Sequence, residues 1–523
     1  MIFKERFISK AMASTFGNDR GAALVAALLF LMFSAMIGAT AILLTAGDLR
    51  IGKNYRDNTQ THYIAEAGLS KAEAELKNDL NTDGDFTNTD FNTISGTVLS
   101  ITPDSSAFYD VFSNVAFGSG SFTIQFKNYG TSPDFDITRI LVRSIGTGTN
   151  SSSVTIESSL LLENVSPWNN AIFSDGGGGS PPITGNVDIA GSIHLLGTGL
   201  AATATVINIQ TVDCLNDNSG MDSTLANAIA GGTSTDLNAK FRVKNGRVDM
   251  SVGSGKIGSS ASPFKNILVT SGTDGGNGVN ADIIGGDNAG GGRNLYADKG
   301  ALSPKAYDLG SGVPMPTIDT VWLNANSLDL TAITESDGAP TPKGLIAGAL
   351  ELKGGYSIGP TWYYPDINQT DGTNSISFDS SSCILSISGI IKVMSLTISD
   401  DITYSGQGTI YITGSTSIDG DVLPDSPATY PTVNVLGIIS TGNITLPTSA
   451  DKLLTGAYYS AATVTSSKQN ELAGTIVCSD FNITNQVPKI WQVPSLAQNL
   501  PPGMPGKDPI WVITEKTWRD LSL

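Results

Sequence analysis

Histidine and cysteine are scarce in this chain. Its only imidazoles are His62 and His194, and its only thiols are Cys214, Cys383 and Cys478, among 523 residues. A Ser/His/Asp triad or a histidine-rich metal site therefore has almost no raw material. Three thiols so far apart form neither a C-x-x-C cluster nor a disulfide framework, and one bridge is the most they can make. Charge is thin as well: charged residues are 15% of the chain, and 48 acidic against 30 basic residues leave a net charge of -18, which argues against a nucleic-acid binder. No glycine-rich loop followed by Lys-Ser or Lys-Thr occurs, so a phosphate-cradling ATPase is also excluded.

What the chain does have is glycine, 58 residues of it, and 40% hydrophobic side chains. That balance predicts turn-rich, mainly β structure with enough apolar surface to fold, and the length predicts at least two domains.

The N-terminal region departs from this texture. Between Ala22 and Ala46 lie about 25 residues without charge, more than a bilayer's hydrocarbon core requires of a helix. Before them, residues 1–21 carry Lys4, Arg6, Lys10 and Arg20 against Glu5 and Asp19, and after them come Arg50, Lys53 and Arg56, so the charge asymmetry across the span is weak. A secretory signal peptide would use Ala39-Thr40-Ala41 and leave Ile42 first, yet apolarity continues through Ile42, Leu43 and Leu44. Residues 48–80 contain no proline, and Ala65, Leu69, Ala72, Leu76 and Leu80 recur every three or four positions, so one apolar stripe continues down the same helix. Unbroken from Ala22 to Leu80 it would be on the order of 90 Å long. Gly38, Gly47, Gly52 and Gly68 are the expected bending points.

Three marks stand in order here: Arg20-Gly21-Ala22-Ala23-Leu24 entering the span, Asn54-Tyr55-Arg56-Asp57 after it, and Ala65-Glu66-Ala67-Gly68-Leu69 beyond. Together they resemble the N-terminal domain of the PilX-type minor pilins of type IV pili, over about the first eighty residues. The resemblance implies a leader at 1–21, cut by a prepilin peptidase between Gly21 and Ala22. It implies a retained helix at 22–80 that anchors in the inner membrane and later packs among other pilins in a filament. Residues 81–165 would form a small pilin-like sheet, and 166–523 an extracytoplasmic β-domain on the periplasmic or outer side. One departure stands out: where major pilins have a glutamate at the fifth mature position, this chain has Ala26. In this it resembles the minor pseudopilin at the tip of type II secretion pseudopili.

The expected end of the helix is the Asn- and Asp-rich run at 78–92. It also fits the spacing of a calcium loop, with Asp79, Asn81, Asp83, Asp85 and Asp90 as oxygen donors around the turn at Gly84, although no following helix is evident and an ordinary solvated loop is the alternative. Segments 121–129, 137–146 and 153–163 alternate as half-buried strands, and 166–170 and 174–182 mark a boundary or a turn cluster. From 391 to 422, short strands rich in Ile and Val alternate with Gly, Ser and Asp turns, which predicts a parallel β-helix or solenoid-like domain, with a β-sandwich as the alternative. The glycine-rich run at 272–294 lacks a nine-residue calcium-binding period and reads as a loop. His194 and the cluster Trp362, Tyr363 and Tyr364 would line a ligand groove or simply pack. The tail from 508 would cap the β-domain with one strand and a buried Trp511.

The expected fold class is thus mainly β with one long N-terminal α-helix. The function expected is that of a minor pilin that primes or caps a filament and presents a β-domain, with adhesion as its use. A membrane-anchored or secreted solenoid that binds a surface is the alternative. A polysaccharide-cleaving enzyme is a third reading, but no pair of carboxylates is singled out by spacing, and no cofactor other than calcium is implied.

Overall fold

The computed structural model describes residues 19–83, 108–131, 134–164, most of 166–269, Ile283–Ile284, 315–334, most of 344–507 and 511–521. The chain divides into two compact units. One comprises Met1–Glu75, Phe91–Ser159 and Thr517–Leu523, and the other Leu76–Asp90 and Leu160–Lys516.

In the first unit a single helix, α1, runs over Asp19–Asp83 as 65 residues, roughly 100 Å at 1.5 Å per residue. None of its glycines ends it. Ala65, Leu69, Ala72 and Leu76 are all buried, as their spacing predicts, and Ile64 joins them. Four strands follow: β1 (Tyr109–Phe117), β2 (Gly120–Thr131), β3 (Asp134–Thr147) and β4 (Ser153–Asn164). The first three are antiparallel, with Phe126 opposite Val142. Phe122, Ile124 and Phe126 alternate onto one buried face, the period of two expected of a sheet with one covered side. The sheet order is β1-β2-β3-β4 and then the C-terminal strand Trp511–Asp520. That last strand corrects an expectation: the tail does not cap the β-domain but completes this sheet, and the side chain of Trp511 lies outside the described residues.

The second unit is built mainly of parallel ladders, with a few antiparallel pairs such as Ser375–Asp379 on Ile384–Val393, which rules out the β-sandwich alternative, since sandwich sheets are antiparallel. In one ladder Ile384–Val393, Gln407–Ile412, Val435–Ser440, Leu453–Ser466 and Glu471–Ile483 lie side by side, all parallel. Corners turn the same chain into a second ladder through Ala349–Leu352, Ser395–Ile398 and Thr416–Ile418. A third passes through Ile402–Ser405 and Val422–Pro424. Each coil takes about 20 residues where nothing is inserted, as from Leu396 to its neighbour Thr416. Val393, Leu396, Ile398, Ile402, Tyr404, Ile410, Ile412, Ile418 and Val422 are all buried. The similar stretches 408–412 and 474–478 occupy the same ladder and bury the same face.

Spatial order differs from chain order. The first strand of this unit, Ile172–Ser174, pairs in parallel with Glu471–Ile483, near the far end of the sequence. Likewise Ile189 stands beside Ile490. From that junction the chain winds one way through Ile193–Leu195 and Lys240–Val243 to Asn266–Val269. Residues 345–491 wind back to the junction from the other side.

The segment 166–170, expected as a boundary or a turn cluster, forms a tight turn, Pro167–Asn169, inside the body of this unit. Trp168 is fully buried and its Nε1 donates to Pro505 O at 2.8 Å. Residues 494–506 lie across the outside of the first ladder, where Thr409 Oγ1 donates to Pro502 O at 2.6 Å. Both faces of Val435–Ser440 are consequently buried.

Gly406 sits at a corner with φ +90, and a Cβ there would stand 2.2 Å from Ile387 O. Gly406→Val is expected to lower stability by roughly 2–4 kcal/mol through strain and backbone clash. The check is urea denaturation followed by circular dichroism, where an unshifted midpoint would contradict this account of the corner.

Candidate functional site

α1 is the functional element, and its length divides into two environments. From Leu24 to Leu49 the large apolar side chains are exposed, Phe30 at 76% and Leu43 at 73% among them. Gly21–Leu76 is long and apolar enough to cross a membrane, and none of the most apolar stretch within it is buried among the described residues. Such a surface in water would associate at once, so it requires an apolar partner.

From Asp57 onward one side of α1 is fastened to the sheet. Asp57 is buried and accepts a hydrogen bond from Asn150 Nδ2 at 2.8 Å, tethering the β3–β4 turn in which Asn150 has φ +64. One helical turn on, Thr61 donates to Asp57 O at 2.7 Å and shares a hydrogen bond of 2.7 Å with Ser152 Oγ. Glycines allow the close approach. A Cβ on Gly146 would stand 2.6 Å from Thr61 O and 2.7 Å from Ala65 N, and one on Gly148 would stand 2.2 Å from Thr61 Oγ1. Gly68, expected as a bend, instead packs flush on Phe122 and Ser144.

The motif residues thus sort by side. Asp57 and Ala65 face the sheet, and Ala67 is half-buried; Asn54, Tyr55, Arg56 and Glu66 are exposed. Gly21 and Ala22 lie at the exposed start of the helix. Glu66 is 3.5 Å from His62 Nε2, and His62 Nδ1 is 3.7 Å from Asp520 on the C-terminal strand.

That strand is held by a second device that pattern reading missed. Glu157 on β4 is buried and meets Arg519 at 2.6 Å and Arg143 of β3 at 3.0 Å. Burial works to raise the Glu157 carboxyl, but hydrogen bonds and charge from Arg519 and Arg143 outweigh it and hold the carboxyl below its ordinary range. The three residues are scattered through the sequence, and only the alternating charge on neighbouring strands could have hinted at them.

Other expected sites fall elsewhere. Asp79, Asn81 and Asp83 lie in the last turns of α1, where the backbone is helical rather than a loop, while Asp85 and Asp90 lie outside the described residues. The side chains of Trp362, Tyr363 and Tyr364 also lie outside the described residues, as does the glycine-rich run except Ile283–Ile284. His194 is buried in the solenoid, its ring 4.8 Å from that of Phe173, an ordinary strand position. Among the described residues no cluster of three or more His, Cys, Asp or Glu could hold a metal ion. Cys214 and Cys478 are buried, and burial pushes the Cys478 thiol up to about 12. A shallow, uncharged trough of about 420 Å³ lies over Asn368, Thr370, Ser377, Ser386 and Ser405 in the second unit.

Two outcomes test this docking. Gly146→Val would force α1 off the sheet, and hydrogen exchange in residues 57–72 should accelerate by at least tenfold; unchanged protection would contradict the close approach. Because the Glu157 carboxyl is depressed, its contribution is fully present above its ordinary pKa of 4.5 and is lost as pH falls through the lower folded value. The sheet should therefore lose stability on acidification below pH 4.5, and Glu157→Gln should weaken it at neutral pH while flattening that acid limb, as read by urea midpoints across pH.

Residues 20–70 match the family described as PilX N-terminal. Among solved structures, the chain is similar to the competence-associated pilin ComZ from Thermus thermophilus. The TM-score is 0.52 and the identity 19%, with 89% of this chain and 98% of that one covered. That likeness establishes a shared fold. No curated protein matches the sequence. The segment at 20–70 is therefore similar to the PilX N-terminal family, and it is carried on a chain that shares its fold with that pilin.

Proposed function

We propose that this protein is a minor pilin of a type IV pilus that primes or caps the filament and presents its solenoid domain outside the inner membrane. The observation that carries the reading is the uncovered apolar half of α1, continuous with a half welded to a sheet. An apolar rod of this kind leaves lipid only for another apolar setting, and a bundle of sister helices supplies one. Ala26 supports a position at the end of the fibre, because a subunit without a carboxylate there offers no charge pair to the terminal amine of its neighbour. The domain it would carry is large, and the neutral hydroxyl-lined trough is a surface suited to an uncharged polar ligand, in keeping with adhesion. Association with competence, stated of the Thermus thermophilus pilin, is a second use for the same fibre.

The alternative reading, an anchored or secreted surface solenoid outside any filament, separates cleanly at the mature N-terminus. Ala22, with the leader removed by a prepilin peptidase, is the expected result from N-terminal sequencing of protein recovered from sheared filaments. Ile42 would indicate secretion and Met1 simple anchoring, and either would defeat the pilin reading.

A further inference from the structure

The first turns of α1 beyond its uncharged run carry Arg50, Lys53 and Arg56, all exposed and none ion-paired among the described residues. Spaced by three, they span an arc of about 120° on the helix. Arg50 lies on the side that, from Asp57 onward, buries Thr61, Ile64 and Gly68 against the sheet, Lys53 lies at its edge, and Arg56 is turned about 110° away from its centre. Below Asp57, among the described residues, that side is exposed. The nearest acid there, Asp57, is taken by Asn150, and Asp48 is turned to the opposite side of the helix. In a chain of net charge -18, this is a local reversal of sign.

We infer that Arg50, Lys53 and Arg56 form a collar that grips the phosphates of anionic phospholipid headgroups while the subunit waits in the membrane before assembly. The inference rests on the membrane-anchored reading of α1. Distance supports it. With the hydrocarbon core ending near Ala46, the helical rise places Arg50 about 6 Å beyond it, at headgroup depth, with Lys53 about 10 Å and Arg56 about 15 Å out, both able to reach back along their long side chains. Tyr55, 75% exposed, lies between Lys53 and Arg56 along the helix, and its amphipathic ring suits the outer edge of the membrane interface. The collar also compensates for the rest of the protein, which the same anionic surface repels. On assembly the three residues exchange lipid phosphate for whatever the fibre provides, so the grip opposes premature departure from the bilayer.

The test is native mass spectrometry of the full chain purified in detergent, offered phosphatidylglycerol or phosphatidylcholine with identical acyl chains. Phosphatidylglycerol should be retained preferentially, and R50Q/K53Q/R56Q should reduce that preference on the order of 100-fold, taking each basic group as a factor of about five. R50K/K53R/R56K, which keeps the charge, should preserve it, and millimolar inorganic phosphate should not displace the lipid. Equal retention of the two lipids by the native chain, displacement by free phosphate, or an unchanged preference in the glutamine variant would overturn the collar. So would a glutamine variant that keeps its lipid preference but fails to enter filaments, since the basic groups would then serve an acidic group on a neighbouring subunit. The intact mass is read in the same spectrum, and a chain lacking residues 22–46 would sink the anchored reading and the collar together.

Discussion

The apolar surface between Leu24 and Leu49 needs a partner that the described residues do not supply. Everything else about α1 follows from that requirement. The helix must be continuous, because a break in an apolar medium would strand backbone amides and carbonyls without partners. It must also be held firmly at its other end, since a rod exchanged between lipid and protein is useful only if the attached domain moves with it. The close packing of Gly146 and Gly148 on Thr61, and the tether from Asp57 to Asn150, meet that second demand.

The motif Asn54-Tyr55-Arg56-Asp57 can be understood through this division. Asp57 serves the inside by fixing a strained turn of the sheet, while its three neighbours point outward at the level where the rod leaves its apolar surroundings. The glycine of the third mark behaves similarly: Gly68 is there because Phe122 and Ser144 occupy the space of a side chain, and not to let the helix bend.

Much of this was legible in the residues, and the rest had a reason to be hidden. Period three-to-four at Ala65, Leu69, Ala72 and Leu76 and period two at Phe122, Ile124 and Phe126 are local signals, and both faces are buried as they imply. The short rhythm from Val393 to Val422 likewise revealed coils. What local periodicity cannot carry is partnership across hundreds of positions. Glu157 meeting Arg519, Trp168 under Pro505, and the pairing of Ile172–Ser174 with Glu471–Ile483 depend on distant segments coming together, and no nearby pattern encodes them. For the same reason the tail was expected on the wrong sheet. Calcium at 79–90 remains an expectation whose first three positions are helical.

The reversed stacking of the solenoid bears on how it would behave under tension. A solenoid wound in chain order has its attachment at one tip, so a pull on the tether peels that terminal coil first and then each coil in turn. Here Ile172–Ser174, the first strand after one connection, lies in the interior of the stack beside Glu471–Ile483, which only Lys489–Trp491 separates from the other. A pull along both connections reaches two neighbouring strands flanked by coils on either side, and their whole run of hydrogen bonds must shear together before anything unravels. The coils at either extremity could fray and re-form while the grip of the domain on its tether stayed intact.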